Sequence, residues 1–301
     1  MDIDFIALYV ETANENYSSI CQVGLAFFKD GHPVDTWESY VDPDTYFSPV
    51  NISIHGITPE LVKGSMLIPE MYDHLTNVLT GKIIVHHMPF DRVALSRCAE
   101  SANRPKMPCK WLDTAYLARH TWEEVKRSGY GLSALSARFD IPHHGLHNAL
   151  DDALAAGYLC HKAIGKSNSS FADWIIDQSD SQFITNQDGK RKKVFGKCPE
   201  LKELATAEPD PNGILYGEVV VFTGELALTR LEAARIAYSV GCNIDLGVTR
   251  NTTMLVVGQQ DQRLLAGHEK SSKHRKAEEL SLKGQNIRIM YEKDFREIVN
   301  Y

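Results

Sequence analysis

No segment of the 301-residue chain is long and apolar enough to cross a bilayer as a helix. The opening Met1-Asp2-Ile3-Asp4 lacks a basic stretch followed by an apolar one, so no secretion signal is expected. Cysteine is sparse: Cys21, Cys98, Cys109, Cys160, Cys198 and Cys242 stand apart, with no C-x-x-C pair. That scatter argues against a zinc ribbon or a disulfide frame and implies reduced thiols in a cytoplasmic protein. Basic charge is not in excess either. The net charge is −7, which disfavours a protein that coats nucleic acid indiscriminately. The acidic surplus lies in the first 165 residues, and the last 90 or so are close to neutral. No internal repeat relates the two halves.

What is present alternates in character along the chain. Phe5–Val10, Ile20–Phe28 and Val34–Val41 have the composition of strands, with a turn at Lys29-Asp30-Gly31 between the last two. Pro69–Leu79 and Phe90–Ala102 have helical spacing, and the short apolar run Lys82–Val85 between them reads as a strand. Helices follow at Thr114–Thr121, Leu132–Phe139 and Asn148–Ile164. This order predicts an α/β domain with a mixed sheet over residues 1–165.

Residues 166–213 break the pattern with Ser167-Asn168-Ser169-Ser170, the basic run Lys190-Arg191-Lys192-Lys193 and Pro209-Asp210-Pro211-Asn212-Gly213. They read as a polar linker with a short helix near Phe171–Ile176, whose Trp174 would dock on a neighbouring domain. The basic run is either a phosphate contact or a solvated segment. Regular structure returns over 214–301. Strands are expected at Glu218–Phe222, Thr253–Val257 and Ile287–Met290, and helices at Thr229–Val240, Lys273–Leu282 and Asp294–Val299. That alternation predicts a small α/β domain with a parallel sheet.

Three segments of the first domain place acidic residues at the ends of elements. Strand alternation puts Ala7, Tyr9 and Glu11 on one face, with Glu11 at the strand's end. In His86-His87-Met88-Pro89-Phe90-Asp91 a strand gives way to a helix, and Asp91 falls in its first turn. His147 stands just before another helix, and Asp152 lies one turn inside it, next to Asp151. Taken singly, each carboxylate could be a helix N-terminal charge or a surface residue.

Together, these segments resemble the DnaQ-like superfamily of 3′–5′ exonucleases, specifically its DEDDh branch and enzymes like the epsilon subunit of DNA polymerase III. Tyr9-Val10-Glu11-Thr12 matches its first motif, His86 to Asp91 the second, and His147, Asp152 and Ala153 the third; a His55-Gly56-Ile57-Thr58 element lies between the first two. The resemblance implies a ribonuclease-H-like fold and hydrolysis assisted by two Mg²⁺ or Mn²⁺ ions about 4 Å apart. It also implies Glu11, Asp91 and Asp152 as metal ligands and His147 as general base. Thr12, His55, Ile57 and Phe90 would hold the terminal nucleotide.

One position departs from the pattern. Tyr9 stands where the family has an aspartate that bridges both metals, and a phenol with a pKa near 10 is a poor Mg²⁺ ligand at neutral pH. Three readings follow. The chain is a degenerate exonuclease that binds nucleic-acid ends, a slow enzyme that uses a single ion, or an active lineage carrying a substitution in this sequence.

Residues 214–301 resemble a BRCT domain of the type in bacterial NAD-dependent DNA ligases and the large clamp-loader subunit. The match rests on Val219 to Leu226, Arg230 to Ala233, Gly241-Cys242, Val248 to Gly258, Ser272 to Ala277 and Glu292 to Phe295. It implies a phosphate pocket at Thr223, Gly224, Arg230 and Lys273. The expected partners are DNA 3′ ends, 5′-phosphorylated DNA and a replication or repair protein, with no membrane. A non-catalytic adaptor and an exonuclease on short RNA remain as alternatives.

Overall fold

Strand β1 (Phe5–Thr12) is buried along most of its length on both faces, and a strand without a polar face belongs at the centre of a sheet. In the computed structural model, which describes residues 2–127, 130–145, 147–167, 169–180, 184–185, 191–192, 204–260, 265 and 268–299, that is where it lies. β1 pairs antiparallel with β2 (Ile20–Lys29) and parallel with β5 (Ile83–His86). The sheet continues through β3 (His32–Asp42) to β4 (Met66–Leu67) on one side and to β6 (Lys110–Asp113) on the other. The order β4-β3-β2-β1-β5-β6 mixes parallel and antiparallel pairs, as expected from the sequence.

Helices surround this sheet: α1 (Pro49–His55), α2 (Pro59–Val62), α3 (Ile68–Leu79), α4 (Phe90–Ser101), α5 (Thr114–Thr121), α6 (Leu132–Arg138) and α7 (Ala149–Ser167). α7 packs on β1 and β2 through a face of small residues that includes Ala149, Ala153, Ala156 and Ala163. The approach is closest at Gly24 of β2. A Cβ there would meet the backbone carbon of Ala149 and the amide nitrogen of Leu150 at 2.3 Å. The helix start is then tied to the same strand, because the Ala149 N–H donates to Gln22 Oε1 at 3.1 Å. Asn148 caps α7 by accepting from the Leu150 and Asp151 amides at 3.1 and 3.0 Å.

The elements differ from the sequence-based expectation in several places. β4 and β6 are too short to stand out as apolar runs, and α1 has little periodicity beyond its Pro49 start. The region expected to begin a linker at residue 166 remains helical to Ser167 and re-enters helix at α8 (Phe171–Asp180). Its Trp174 docks on the α/β domain of residues 1–165, the neighbour expected to receive it. It packs edge-on against Tyr116 and His120 of α5 and donates through Nε1 to Ser167 Oγ at 3.2 Å. Phe171 likewise tilts against Phe5 of β1. The chain accordingly divides into two compact units, Met1–Phe183 and Ile184–Tyr301.

The second unit is built on the sheet β10-β9-β11-β12, in which every pair is parallel. Its strands are β9 (Val219–Thr223), β10 (Asn243–Ile244), β11 (Met254–Val257) and β12 (Arg288–Tyr291), and its helices α9 (Arg230–Ser239), α10 (Ser272–Leu282) and α11 (Glu292–Ile298). β10 was not expected, being only two residues long. Val221, Leu255 and Val257 of the sheet pack with Val248, Ala277 and Ile287. A separate two-stranded pairing joins β7 (Ile184–Thr185) to β8 (Arg191–Lys192). Lys190 and Lys193 of the basic run lie outside the described residues. Among the described residues, no helix is long and apolar enough to cross a membrane.

The Gly24 approach yields a stability prediction. Gly24→Ala places a methyl against backbone that cannot swing away, and should destabilise the fold by about 1–3 kcal/mol. Urea unfolding of the variant beside the unaltered chain measures this, and an unchanged midpoint would refute the close packing of α7.

Candidate functional site

The site assembles at the end of β1. The β1–β2 register shifts between Glu11 and Thr12, and a bulge of this kind re-aims the side chains next to it. Beyond the bulge, the Thr12 carbonyl accepts two hydrogen bonds from α1: Asn51 Nδ2 at 2.8 Å and His55 Nε2 at 3.1 Å. His55 Nδ1 accepts the Ile57 N–H at 3.0 Å, so Nε2 carries the ring proton and donates it to Thr12. Burial is the main reason that the His55 pKa falls from 6.5 to about 4. Asn51 and His55 are four residues apart on one helix, hence on one face. Asn51 escaped the sequence reading because α1 itself did.

Asp91 reaches the same strand end from α4. Its Oδ1 accepts the Val10 N–H at 2.9 Å, and the residue is 3% exposed. The turn leading to α4 is fixed by Asp113, whose Oδ1 accepts from Met88 and from Ala115, both at 2.9 Å. Met88 adopts a positive φ of 69°, a conformation that surrounding structure must hold in a non-glycine residue.

α7 brings the third segment. His147 has φ of 62°, again left-handed, and the helix starts two residues later. Glu11, His147 and Asp152 place one ligand atom each within 4.8 Å of one another, a group able to hold a metal ion. Asp91 is held to the neighbouring Val10 and is not in that group. The four candidates therefore converge on one strand end, three of them within ligand distance.

His143 belongs to the site and was missed. Its Nε2 lies 2.5 Å from Asp152 Oδ1, with both side chains almost wholly buried. Burial raises the Asp152 pKa from 3.8 to about 6, with the His143 contact opposing that rise. His143 sits four residues before His147, in a His-His-Gly stretch with no regular periodicity, so nothing in its sequence setting marked it.

Tyr9 is half-buried on β1, opposite Gly24 in the β1–β2 register. Thr12 and Phe90 are also half-buried. Phe90 meets Tyr17 edge-on, with ring centroids 6.3 Å apart. Ile57, also expected near the terminal nucleotide, turns its side chain inward. Its side chain is 3% exposed and packs with Ala13, Cys21 and Val62, because the turn after α1 folds it into the core.

In the second unit, the four candidate residues also meet. Lys273 Nζ donates to the Phe222 carbonyl at 3.1 Å, and Arg230 donates to the same carbonyl and, through Nη2, to the Gly224 carbonyl at 2.8 Å. Thr223 Oγ1 lies 2.8 Å from Ser271 Oγ, the N-cap of α10. Gly224 has φ of 75°, with the carbonyls of Gln259 and Gly258 2.8 Å from where a Cβ would be. Desolvation first, and the Arg230 charge second, lower the Lys273 pKa. Among the described residues, no carboxylate forms an ion pair with either cation. Two cations, a glycine turn and two hydroxyls form a basic cluster whose chemistry suits an anion.

The depressed His55 pKa predicts how stability responds to acid. The unfolded chain takes up a proton near pH 6.5, whereas the folded chain resists it down to about pH 4. The stability contributed by the neutral His55 should therefore be fully present above pH 6.5 and be lost as pH drops toward 4, while Asp152, with its raised pKa, acts in the opposite sense over the same range. Replacing His55 with Gln, which keeps a donor toward Thr12, should remove on the order of 2 kcal/mol of that loss. Denaturation at pH 7 and pH 4.5 checks it, and parallel curves for the two proteins would refute it.

Comparison with known proteins places these observations in a family. DNA polymerase III of the PolC type from Listeria welshimeri is 29% identical over 198 residues, covering 64% of this chain and 14% of that protein. The Pediococcus pentosaceus polymerase of the same type is 24% identical over 186 residues, or 61% of this chain and 13% of that one. The 3′–5′ exonuclease DinG of Staphylococcus epidermidis is 27% identical over 157 residues, covering 52% and 17%. The chain thus spans less than a fifth of the length of these relatives. Exonuclease X, solved with 5′ overhanging duplex DNA, superposes with a TM-score of 0.47 at 24% identity, covering 57% of this chain and 98% of that one. The model of the exonuclease family (RNase T) matches residues 2–160, just over half of the sequence, including the whole six-stranded sheet and the elements that carry Glu11, Asp91 and Asp152, and the chain belongs to that family.

Proposed function

We propose that residues 1–165 form a metal-dependent 3′–5′ exonuclease of the DnaQ-like DEDDh type that acts on DNA ends. In the same reading, residues 214–301 form a BRCT module that docks on a phosphate or on a replication or repair protein. The observation that carries the first part is the convergence of Glu11, His147 and Asp152 from separate elements, with Asp91 hydrogen-bonded beside them. The names of the relatives, PolC-type polymerases and a 3′–5′ exonuclease, support the direction of attack and the DNA substrate.

Glu11 and Asp152, with Asp91 beside them, would supply oxygen donors to a divalent ion. A bound divalent ion would acidify a water and offset charge gathering on the phosphate. His147 stands beside two of these carboxylates, and imidazole exchanges protons near neutral pH, so it takes the proton from the attacking water. The Thr12 backbone, pinned by Asn51 and His55, and the half-buried Phe90 line the approach for the terminal nucleotide.

Tyr9 favours a second reading, a non-catalytic module that holds nucleic-acid ends. Digestion of labelled single-stranded DNA with Mn²⁺ separates the two, comparing the chain with Tyr9→Asp. Measurable cleavage by the unaltered chain, increased at least ten-fold by Tyr9→Asp, is the expected result. Cleavage by Tyr9→Asp alone would establish a disabled site, and cleavage by neither would defeat the exonuclease reading.

For the second unit, Arg230→Ala with Lys273→Ala should weaken binding to 5′-phosphorylated duplex at least ten-fold. Removing the 5′ phosphate should cost the unaltered protein a similar factor. Equal affinity in all three measurements would eliminate the pocket.

A further inference from the structure

The donors gathered at the first site do not suit a pair of Mg²⁺ ions. A second ion needs a carboxylate shared between the two, and Tyr9 offers a neutral phenol in its place. One oxygen of Asp91 is already engaged with the Val10 amide. What remains within mutual ligand distance is two carboxylates and one imidazole, from Glu11, Asp152 and His147. Mg²⁺ favours all-oxygen octahedra and keeps its waters. Mn²⁺ and Zn²⁺ accept imidazole nitrogen readily, and three protein ligands with one open position is a common catalytic zinc arrangement.

His143 strengthens the case. A metal-ligating carboxylate is ordinarily held by a further hydrogen bond that sets its orientation, and loss of such a partner costs about 10–100-fold in metal affinity. Asp152 has that partner in His143 Nε2 at 2.5 Å, inside a buried pair. The left-handed backbone at His147 shows that the turn before α7 is held in a costly conformation that keeps the imidazole near the carboxylates.

We infer that the substrate-free chain binds one Mn²⁺ or Zn²⁺ ion through Glu11, Asp152 and His147, with His143 as a positioning residue for Asp152, and that it discriminates against Mg²⁺. The inference rests on reading this cluster as the hydrolytic site. The two roles of His147 belong to different states of the chain. It is a ligand in the substrate-free site and a proton acceptor once a phosphodiester supplies oxygens of its own.

The test is calorimetric titration of the chelator-treated full chain with Zn²⁺, Mn²⁺ and Mg²⁺, with nitrogen coupling to bound Mn²⁺ read by pulsed electron paramagnetic resonance. The expected result is one Zn²⁺ or Mn²⁺ per chain, Mg²⁺ at least 100-fold weaker, and nitrogen coupling that disappears in His147→Ala. His143→Ala should lose about 10-fold or more in Zn²⁺ affinity, while His143→Gln, which keeps an N–H toward Asp152, recovers much of it. Thermal melts confirm that each variant folds. Tyr9→Asp should take a second ion and gain Mg²⁺ affinity. Two ions on the unaltered chain, equal Mg²⁺ and Zn²⁺ affinities, retained nitrogen coupling in His147→Ala, or no binding would each overturn the inference. DNA digestion is scored separately. One selective ion without cleavage by either protein removes the exonuclease reading alone, and cleavage without such an ion removes this inference alone.

Discussion

The contact between helix α7 and the β1–β2 pair sets the geometry on which the first unit depends. Gly24 lets the backbone of Ala149 settle against the sheet, and Gln22 then binds the Ala149 amide. Because Asp152 is one turn into that helix and His147 two residues before it, their distance from Glu11 follows from how closely α7 lies on the strands. A helix held off by even one methyl would carry both side chains away with it. The alanine-rich face of α7 serves the same end along its length, since small side chains permit a short distance between helix and sheet.

Around that contact, the strand end is immobilised from three directions. α1 pins the Thr12 carbonyl through Asn51 and His55, Asp91 holds the Val10 amide, and His143 holds Asp152. Each is a buried or half-buried polar contact, where a missing partner leaves a desolvated group behind. Such an arrangement resists drift of the ligand atoms, which a metal centre requires more than a binding groove does. Tyr9 sits within this rigid frame on the face of Glu11, so a change of chemistry at one position is not absorbed by movement elsewhere.

The second unit solves a different problem with similar means. Its parallel sheet brings the end of β9 beside the starts of α9 and α10, and the Phe222 carbonyl accepts from both Arg230 and Lys273. Carbonyl dipoles let two like charges share a small space. The capping box of Thr229 and Glu232 fixes the start of α9, and thereby Arg230 at its first position.

Much of this could be read before folding. The apolar runs that became β1, β2 and β9, the switch to helical spacing at Phe90 and Asn148, and the acidic residues at element ends are local features, and local chemistry decides them. So is the identity of residue 9, which no fold can alter. Short pieces were not legible: β4, β6 and β10 exist because neighbouring strands offer them hydrogen-bonding edges. The helix at α8 was expected from the sequence, and it stays with the first unit because Phe171 and Trp174 find aromatic partners there. Ile57, expected near the terminal nucleotide, has its side chain in the core, because burial is a property of the whole packing. His143 is the clearest case. Its residue type and position were in plain view, but its partnership with Asp152 arises only where the loop before α7 meets the helix. The sequence by itself determined which donors the chain possesses, and the tertiary structure decided which of them share a site, since proximity between distant segments depends on how closely helices and strands can pack.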